Sequence, residues 1–396
     1  MTTATLRDDL PQLALVAALA SALHVGVAVA AASRTGIPLQ VLGVFFDGHF
    51  YLEIARSFPL PYGPEALDYA GLAPAYPALA WLLHGALGPL VNWGGAMLLA
   101  TWLPAVASAL LFHRVCRALA LEPLLPTLLF VVANPRWIAV AAPAHPEPLA
   151  MAAALASLLA FLKERPAASA LWLCLAALAR FPALWLAGPL ALGIVLRRPG
   201  SWRGALWFAA PAVALALWHV YLELRVPAYT SVFAEHQVFW DTHPTWPFAA
   251  LIQNAFEWIW PPEYPLAAVT YATLVFYLFA CAVGFRAERA LWVLPLWVLA
   301  QVLFHVSLAG VRGAWDFSRL ALLAWPAALL AVWRLAAPRV SPLAGYAIAL
   351  VLLGFGVAYA CRSMESGVVW QKEMQAFLLD TATHLDEDTP RWKTWR

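Results

Sequence analysis

Long apolar runs, separated by short polar segments, recur along almost the whole chain. Most are close to the twenty or so residues that an α-helix needs to cross the hydrocarbon core of a bilayer. The pattern therefore predicts an all-α fold, a polytopic integral membrane bundle of about eleven transmembrane helices. The runs lie at about 11–33, 74–90, 93–112, 124–142, 148–162, 167–196, 204–222, 266–285, 290–309, 319–336 and 342–360.

Two of these runs depart from a simple crossing. The run 167–196 is too long for one span and is interrupted at Arg180-Phe181-Pro182. Because proline disfavours helical geometry in the residue before it, we expect two short helices to meet there. The run 74–90 contains three prolines and a histidine, and we expect it to be re-entrant or tilted against the outer face. The alternative is a full crossing, which would place Arg114 and Arg117 outside.

Composition agrees with a membrane protein. Of the 396 residues, 63% are hydrophobic and only 12% are charged, whereas soluble domains carry about 25% charged residues. The formal net charge of +2 is too small to indicate a nucleic-acid partner. Four widely separated cysteines have no zinc-site spacing, and buried small hydrophobes are the simplest interpretation of them.

Basic residues give an orientation, because Lys and Arg are enriched in cytoplasmic loops. Clusters lie near 113–117, 163–165, 197–203, 286–289 and 334–339, and we assign them to the cytoplasm. The remaining polar segments then fall on the opposite side, although none of them was used to set the orientation. They are 47–49, 145–147, the Arg180 hinge, the loop 223–265 and the segment 316–319. Their convergence on one face predicts a site there.

The stretch FFDGHFYLEIARS at 45–57 places charged and aromatic side chains directly after an apolar segment. In a partly desolvated cleft at the membrane surface, burial would raise the pKa of Asp47 toward the range of a general base. His49 is a second catalytic candidate in this stretch. Glu147, at a predicted helix start, is a third. The alternatives are a solvated juxtamembrane helix for 45–57 and, for Glu147, stabilisation of a helix N-terminus.

The first motif, Asp-Gly-x-x-Tyr-Leu-x-Ile-Ala at 47–55, resembles the first extracytoplasmic loop of GT-C glycosyltransferases. The resemblance is closest to PIG-V-like and related bacterial mannosyltransferases, although Phe46 stands where many relatives carry Trp. It extends in order over most of residues 10–340. The later matches are Ala75-Tyr76-Pro77, His145-Pro146-Glu147, Arg180-Phe181-Pro182 and the segment from Ser318 to Pro326.

This resemblance implies a hexosyltransferase that moves a sugar, mannose in the nearest relatives, from a polyprenyl-phosphate carrier to an acceptor hydroxyl. It implies inversion, with Asp47 as general base. Arg180 and Arg319 are expected to bind the donor phosphate, and Tyr51 and Tyr76 the substrates. His145 and His236 are further phosphate candidates. No cofactor is implied; a divalent metal is not expected, although Glu235-His236 and Asp241 with His243 have weak metal-ligand character.

The expected organisation is a transmembrane domain over 1–360 and a polar tail over 361–396 that contains an interfacial helix. Extracytoplasmic loops at 34–72 and 223–265 belong to the transmembrane domain. We expect an integral protein of a bacterial inner or plasma membrane, surrounded by membrane lipids, with its active site on the extracytoplasmic face. The acceptor class stays open among glycolipid, polysaccharide and protein.

Two other functions remain open. One is a lipid or sugar transporter or flippase, which should have broken helices in corresponding halves and charges at mid-bilayer depth. Here the charges cluster at one face and the halves show no correspondence. The other is a non-catalytic envelope-assembly protein with the same fold.

Overall fold

The computed structural model describes residues 9–45, 47–58, 73–197, 200–225, 229, 231, 243–249, 251–252, 265–309 and 317–369. Over these residues the chain is an all-α bundle, as predicted, with one antiparallel pair of two-residue strands. Most of the predicted loop 223–265, and the tail beyond residue 369, lie outside the described residues.

The helices are numbered in chain order. They are α1 (Leu10–Thr35), α2 (Gly48–Ser57), α3 (Ala75–Leu87), α4 (Trp93–Ala118), α5 (Leu124–Val132), α6 (Pro135–Ala141), α7 (Glu147–Leu162), α8 (Pro166–Ala179), α9 (Ala187–Arg197), α10 (Trp202–Ala205), α11 (Ala210–Arg225), α12 (Pro265–Gly284), α13 (Val293–Val306), α14 (Phe317–Leu320), α15 (Trp325–Ala336) and α16 (Pro342–Val369). Short 3₁₀ helices are Leu39–Val44, Phe181–Leu186, Leu206–Ala209, Arg289–Leu291 and Ala321–Ala324. The strands β1 (His243–Pro244) and β2 (Leu308–Ala309) pair with each other.

Several described helices can cross a bilayer. Five are long and apolar enough alone: Leu10–Thr35, Trp93–Ala118, Trp202–Arg225, Phe317–Ala336 and Pro342–Glu365. A sixth crossing results if α5 and α6 form one broken span. Shorter apolar helices of 10–17 residues are Glu147–Leu162, Pro166–Ala179, Phe181–Arg197, Ala268–Gly284 and Val293–Val306. The chain is therefore an integral membrane protein, and the number of about eleven crossings stays a prediction.

The expected break near Arg180 is present. α8 ends at Ala179, Arg180 is extended with φ −150° and ψ 119°, and a 3₁₀ helix follows. The run 124–142 is also broken, although its length is that of a single crossing. There α5 and α6 meet at 71°, because Asn134 caps α6 with its side chain and Pro135 occupies the first turn.

Two other segments differ in length from a standard span. α3 has 13 residues, about 20 Å, which is short of a bilayer core of about 30 Å. A re-entrant or tilted position for the run 74–90 stays a prediction. α16 continues to Val369, beyond the apolar run that ends at residue 360, so the predicted tail begins as part of a helix.

The two ends of the bundle differ in charge. Asp9 precedes α1 and pairs with Arg117 near the end of α4, so these two helices are antiparallel. Lys163 directly follows α7, and Arg197 ends α9. The opposite end of the bundle contains the end of α1 and the starts of α4 and α7. The candidate site lies at that end.

Candidate functional site

Asp47 stands between the 3₁₀ helix Leu39–Val44 and α2, at the N-cap of α2. Close backbone contact fixes this segment: a Cβ atom on Gly43 would lie 2.1 Å from the carbonyl oxygen of Gly94, at the start of α4. The main chain of Leu42 also accepts a hydrogen bond from the amide of Ala144, at 3.2 Å. The segment that presents Asp47 is therefore held against both α4 and the loop before α7.

Glu147 is the first residue of α7 and is buried, with 2% of its surface exposed. His145 lies two residues before Glu147 and is held by Thr101 of α4. The hydroxyl of Thr101 accepts from the His145 amide at 3.1 Å and lies 3.2 Å from the His145 carbonyl oxygen. Thr101 therefore fixes the loop that carries both candidates, a role that its position within the apolar run 93–112 did not indicate.

Four side chains from distant parts of the chain form one hydrogen-bonded group, which we call the acid–arginine cluster: Asp47, Glu147, Arg180 and Arg319. Arg319 donates from Nη2 to Asp47 Oδ2 at 2.7 Å and from Nε to Glu147 Oε1 at 2.5 Å. Arg180 donates from Nη1 to the same Glu147 oxygen. Two carboxylates and two guanidiniums thus neutralise each other at one end of an apolar bundle.

The members of the cluster differ in exposure. The side chain of Asp47 is 29% exposed, those of Arg180 and Arg319 are 12% and 13% exposed, and that of Glu147 is 2% exposed. Asp47 is therefore the carboxylate that a molecule entering the site can reach. Glu147 lies behind it and serves the two arginines as a counter-ion.

The expectation that burial raises the pKa of Asp47 is wrong. Burial is the largest single effect and does act in that direction, but the charge of Arg319, its hydrogen bond to Asp47 and the neighbouring His145 together outweigh it, so the pKa of Asp47 lies below its usual value. The sequence did not indicate this contact, because residues 47 and 319 are brought together only by the fold.

His145 lies beside the same guanidinium, with Nδ1 3.4 Å from Arg319 Nη2. Burial, together with the positive charge of Arg319, lowers the pKa of His145 to about 4. The imidazole is therefore neutral near pH 7, and it can donate one hydrogen bond and accept another.

The two tyrosines form a support for the site. Their rings meet edge to face with centroids 5.2 Å apart. The hydroxyl of Tyr76 lies 2.9 Å from the carbonyl oxygen of Met97 and 2.9 Å from the hydroxyl of Thr101. Tyr76 is completely buried, so its contacts favour a role in holding α3 against α4. Tyr51 is 5% exposed.

Comparison with known proteins gives similarity to solved structures only. No family profile matches this chain, and no curated protein matches it. The crystal structure of ArnT from Cupriavidus metallidurans bound to undecaprenyl phosphate has 16% identity and a TM-score of 0.48, over 85% of this chain and 72% of that chain. The apo structure of the same enzyme has 16% identity and a TM-score of 0.44 over the same shares.

The remaining predicted site residues are placed as follows. His49 is buried, and its ring packs against that of Phe50 with centroids 3.6 Å apart. In the same helix Glu53, which was not a predicted site residue, accepts a hydrogen bond from Arg56 at 2.9 Å, and this pair is buried. His236 lies outside the described residues.

The described residues contain no group of three or more His, Cys, Asp or Glu side chains that could hold a metal ion. Within the same residues, the four predicted members of the cluster are joined directly, and His145 lies against them. The arrangement offers one accessible carboxylate, two guanidiniums and a neutral imidazole, which together suit a reaction that moves a proton beside an anion.

Proposed function

We propose that this protein is a membrane glycosyltransferase that moves a sugar from a polyprenyl-phosphate carrier to an acceptor hydroxyl outside the cytoplasm. The observation that carries the proposal is the position of Arg319, which donates to Asp47 and to Glu147 at once. The ordered sequence motifs that resemble GT-C enzymes supply the cluster residues. The basic clusters at the opposite end of the bundle favour the extracytoplasmic face for the site.

The two guanidiniums suit the donor phosphate. Arginine binds phosphate oxygens through paired N–H groups, and such bonds are stronger than those between neutral groups. Arg319 and Arg180 both contact one carboxylate oxygen of Glu147, so the two guanidiniums lie close enough together to bind a common anion. The prenyl chain would lie in the bilayer against the apolar surface of the bundle.

Asp47 suits the general base. In the proposed step the acceptor oxygen attacks the anomeric carbon, and the bond from that carbon to the donor phosphate oxygen breaks. The acceptor proton passes to the Asp47 carboxylate, and the polyprenyl phosphate departs with both electrons of the broken bond. Attack from the face opposite the phosphate inverts the anomeric configuration. His49 remains a further catalytic candidate beside Asp47.

Donor binding also has a consequence for the base. While Arg319 holds Asp47, its positive charge keeps the Asp47 carboxylate weakly basic. A phosphate that recruits Arg319 weakens this contact, and Asp47 then becomes a stronger base. The donor should therefore bind before the acceptor. Glu147 keeps the arginines in place during this exchange and acts as a positioning residue.

Mannose is the proposed sugar, on the basis of the resemblance to PIG-V-like and bacterial mannosyltransferases. The acceptor is proposed to be a glycolipid, a polysaccharide or a protein with a free hydroxyl group. No resident cofactor enters the proposed step. A panel of polyprenyl-phosphate donors with different sugars, each offered with the same membrane extract as acceptor source, identifies the sugar.

The test uses the purified full chain in liposomes with a radiolabelled polyprenyl-phosphate sugar. We expect transfer by the wild type and a loss of at least about a hundredfold in Asp47→Asn, because general base catalysis contributes roughly a hundred- to ten-thousandfold. Asp9→Asn is the matched control. It alters an acid that pairs with Arg117 at the other end of α1, and it should retain activity.

Two results would overturn the proposal. One is the absence of transfer with every donor of the panel. The other is movement of the labelled lipid between leaflets that Asp47→Asn leaves unchanged, which would favour the transporter hypothesis.

A further inference from the structure

One face of α13 carries the polar side chains Trp297, Gln301 and His305, at intervals of four residues. Residues four apart lie on the same side of a helix. All three are buried, with 0%, 0% and 2% of their surface exposed. A polar group inside a membrane bundle is costly unless it is hydrogen-bonded, and such groups commonly have a specific role. We call these three side chains the polar face of α13.

Gln301 contacts the segment that follows Arg180. Its amide nitrogen donates to the carbonyl oxygen of Pro182 at 2.8 Å. Pro182 belongs to the 3₁₀ helix Phe181–Leu186, which begins where the chain leaves α8. This hydrogen bond therefore ties the turn at Arg180 to α13.

Trp297 makes the equivalent contact to the segment that follows Arg319. Its indole nitrogen donates to the carbonyl oxygen of Leu323 at 2.9 Å. Leu323 belongs to the 3₁₀ helix Ala321–Ala324, directly after α14. Each arginine of the cluster is thus followed within two residues by a 3₁₀ helix whose main chain is held by α13.

His305 lies between these two attachments and the cluster. It is within electrostatic reach of Arg180, and the main chain of Leu320 lies nearby, although neither ring nitrogen completes a well-formed hydrogen bond to a described residue. Its place on the polar face is one turn beyond Gln301, toward the cluster.

We infer that the polar face of α13 positions the two arginines of the acid–arginine cluster. Breaks from α-helical to 3₁₀ geometry change the direction of the chain, and such stretches often mark functional hinges. α13 fixes one carbonyl group beyond each of the two hinges. In this way a single rigid helix sets where both guanidiniums meet the Glu147 carboxylate.

The inference rests on the proposed function only in giving the arginines a substrate, the donor phosphate. Its first test therefore needs no substrate. Phenylglyoxal modifies arginine side chains, and mass spectrometry measures the rate at each residue. Gln301→Met keeps the length of the side chain and removes the donor. Because one hydrogen bond shifts a population by roughly two- to tenfold, we expect Arg180 to react faster by about that factor.

Matched variants separate positioning from general destabilisation. Trp297→Phe keeps an aromatic ring but removes the N–H group, and it should accelerate the labelling of Arg319. Ser157→Ala removes buried hydrogen bonds between α7 and α8, where Ser157 Oγ lies 2.8 Å from the Ser169 carbonyl oxygen. Ser157→Ala should lower thermal stability without changing the rate of phenylglyoxal labelling at Arg180 or at Arg319. The inference would be overturned if the arginines were labelled at the wild-type rate in all variants. It would also be overturned if Ser157→Ala accelerated the labelling as much as Gln301→Met and Trp297→Phe do.

The second test is kinetic. In Gln301→Met the KM for the polyprenyl-phosphate donor should rise by the same factor, while the KM for the acceptor stays unchanged. Faster labelling with an unchanged donor KM would support the positioning and overturn the phosphate-binding role of the arginines.

Discussion

Replacing Glu147 by Gln removes the negative charge that two guanidiniums share. Loss of one partner from a buried ion pair typically costs about 3–5 kcal/mol of unfolding free energy, because the other charge stays buried. Arg180 and Arg319 are 12% and 13% exposed, and Arg319 keeps its bond to Asp47. We therefore expect Glu147→Gln to destabilise the protein at the lower end of that range, by about 3 kcal/mol.

A second substitution tests the cause of the effect. In Glu147→Gln combined with Arg180→Met, one guanidinium again faces one carboxylate, so at least about half of the lost stability should return. The double variant should still lack transfer activity, because its stability returns without the Glu147 carboxylate. Unfolding in detergent at pH 7.5, followed by tryptophan fluorescence, measures both variants. The control is Asp9→Asn: its partner Arg117 is 42% exposed, and the cost should stay below about 1 kcal/mol.

Two results would refute this reasoning. The first is a cost of Glu147→Gln no larger than that of Asp9→Asn. The second is strict additivity of Glu147→Gln and Arg180→Met, since additivity indicates that the two side chains do not interact in the folded protein.

Gly43→Ala should lower both activity and yield, because its Cβ atom would lie 2.1 Å from the Gly94 carbonyl oxygen and displace the segment that carries Asp47. The control is Gly26→Ala, where nothing lies within 4 Å of the added Cβ atom, and it should have neither effect in the same transfer and thermal-unfolding assays. The pH profile of kcat/KM should show how the charge of Arg319 affects the pKa of Asp47. Because the folded pKa of Asp47 lies below its usual value, wild-type kcat/KM should persist as pH falls through the ordinary Asp range near about 4. Arg319→Met removes the largest of the effects that oppose burial, so the acid limb of the residual activity should move to higher pH. An unmoved limb would show that Arg319 does not control the base.

The hinge at Arg180 could be predicted from sequence, because a local rule governs it. Pro182 disfavours helical geometry just before it, and the run was too long for one span. The same kind of signal was present at Asn134-Pro135, but the apolar run there had the length of one crossing and concealed the 71° bend. Length and proline position decide such breaks together.

The meeting of the cluster residues on one face followed from the distribution of basic residues along the chain. The hydrogen-bond partners of these residues could not be predicted in this way, because they depend on how helices far apart in sequence pack side by side. Arg319 was expected to bind phosphate, which stays a prediction; its hydrogen bonds to Asp47 and Glu147 were not expected. The pKa of Asp47 was assigned the wrong direction for the same reason.

The polar face of α13 illustrates a weaker signal. A polar residue within an apolar run is a functional candidate on general grounds, and His305 in the run 290–309 is such a residue. The roles of Gln301 and Trp297 are apparent only from their hydrogen bonds to the carbonyl groups of Pro182 and Leu323. These partners lie at very different separations along the chain.

The charge of the site gives a reason why carboxylates and arginines occur there in equal number. A polyprenyl-phosphate sugar is a phosphodiester with one negative charge, and the departing phosphate monoester gains a second charge near neutral pH. In the proposed step Asp47 takes up the acceptor proton and loses its own charge at the same time. The total charge of donor and cluster is therefore the same before and after transfer. In a site of low polarity, where unbalanced charge is costly, such a step requires little rearrangement around Glu147 and the arginines.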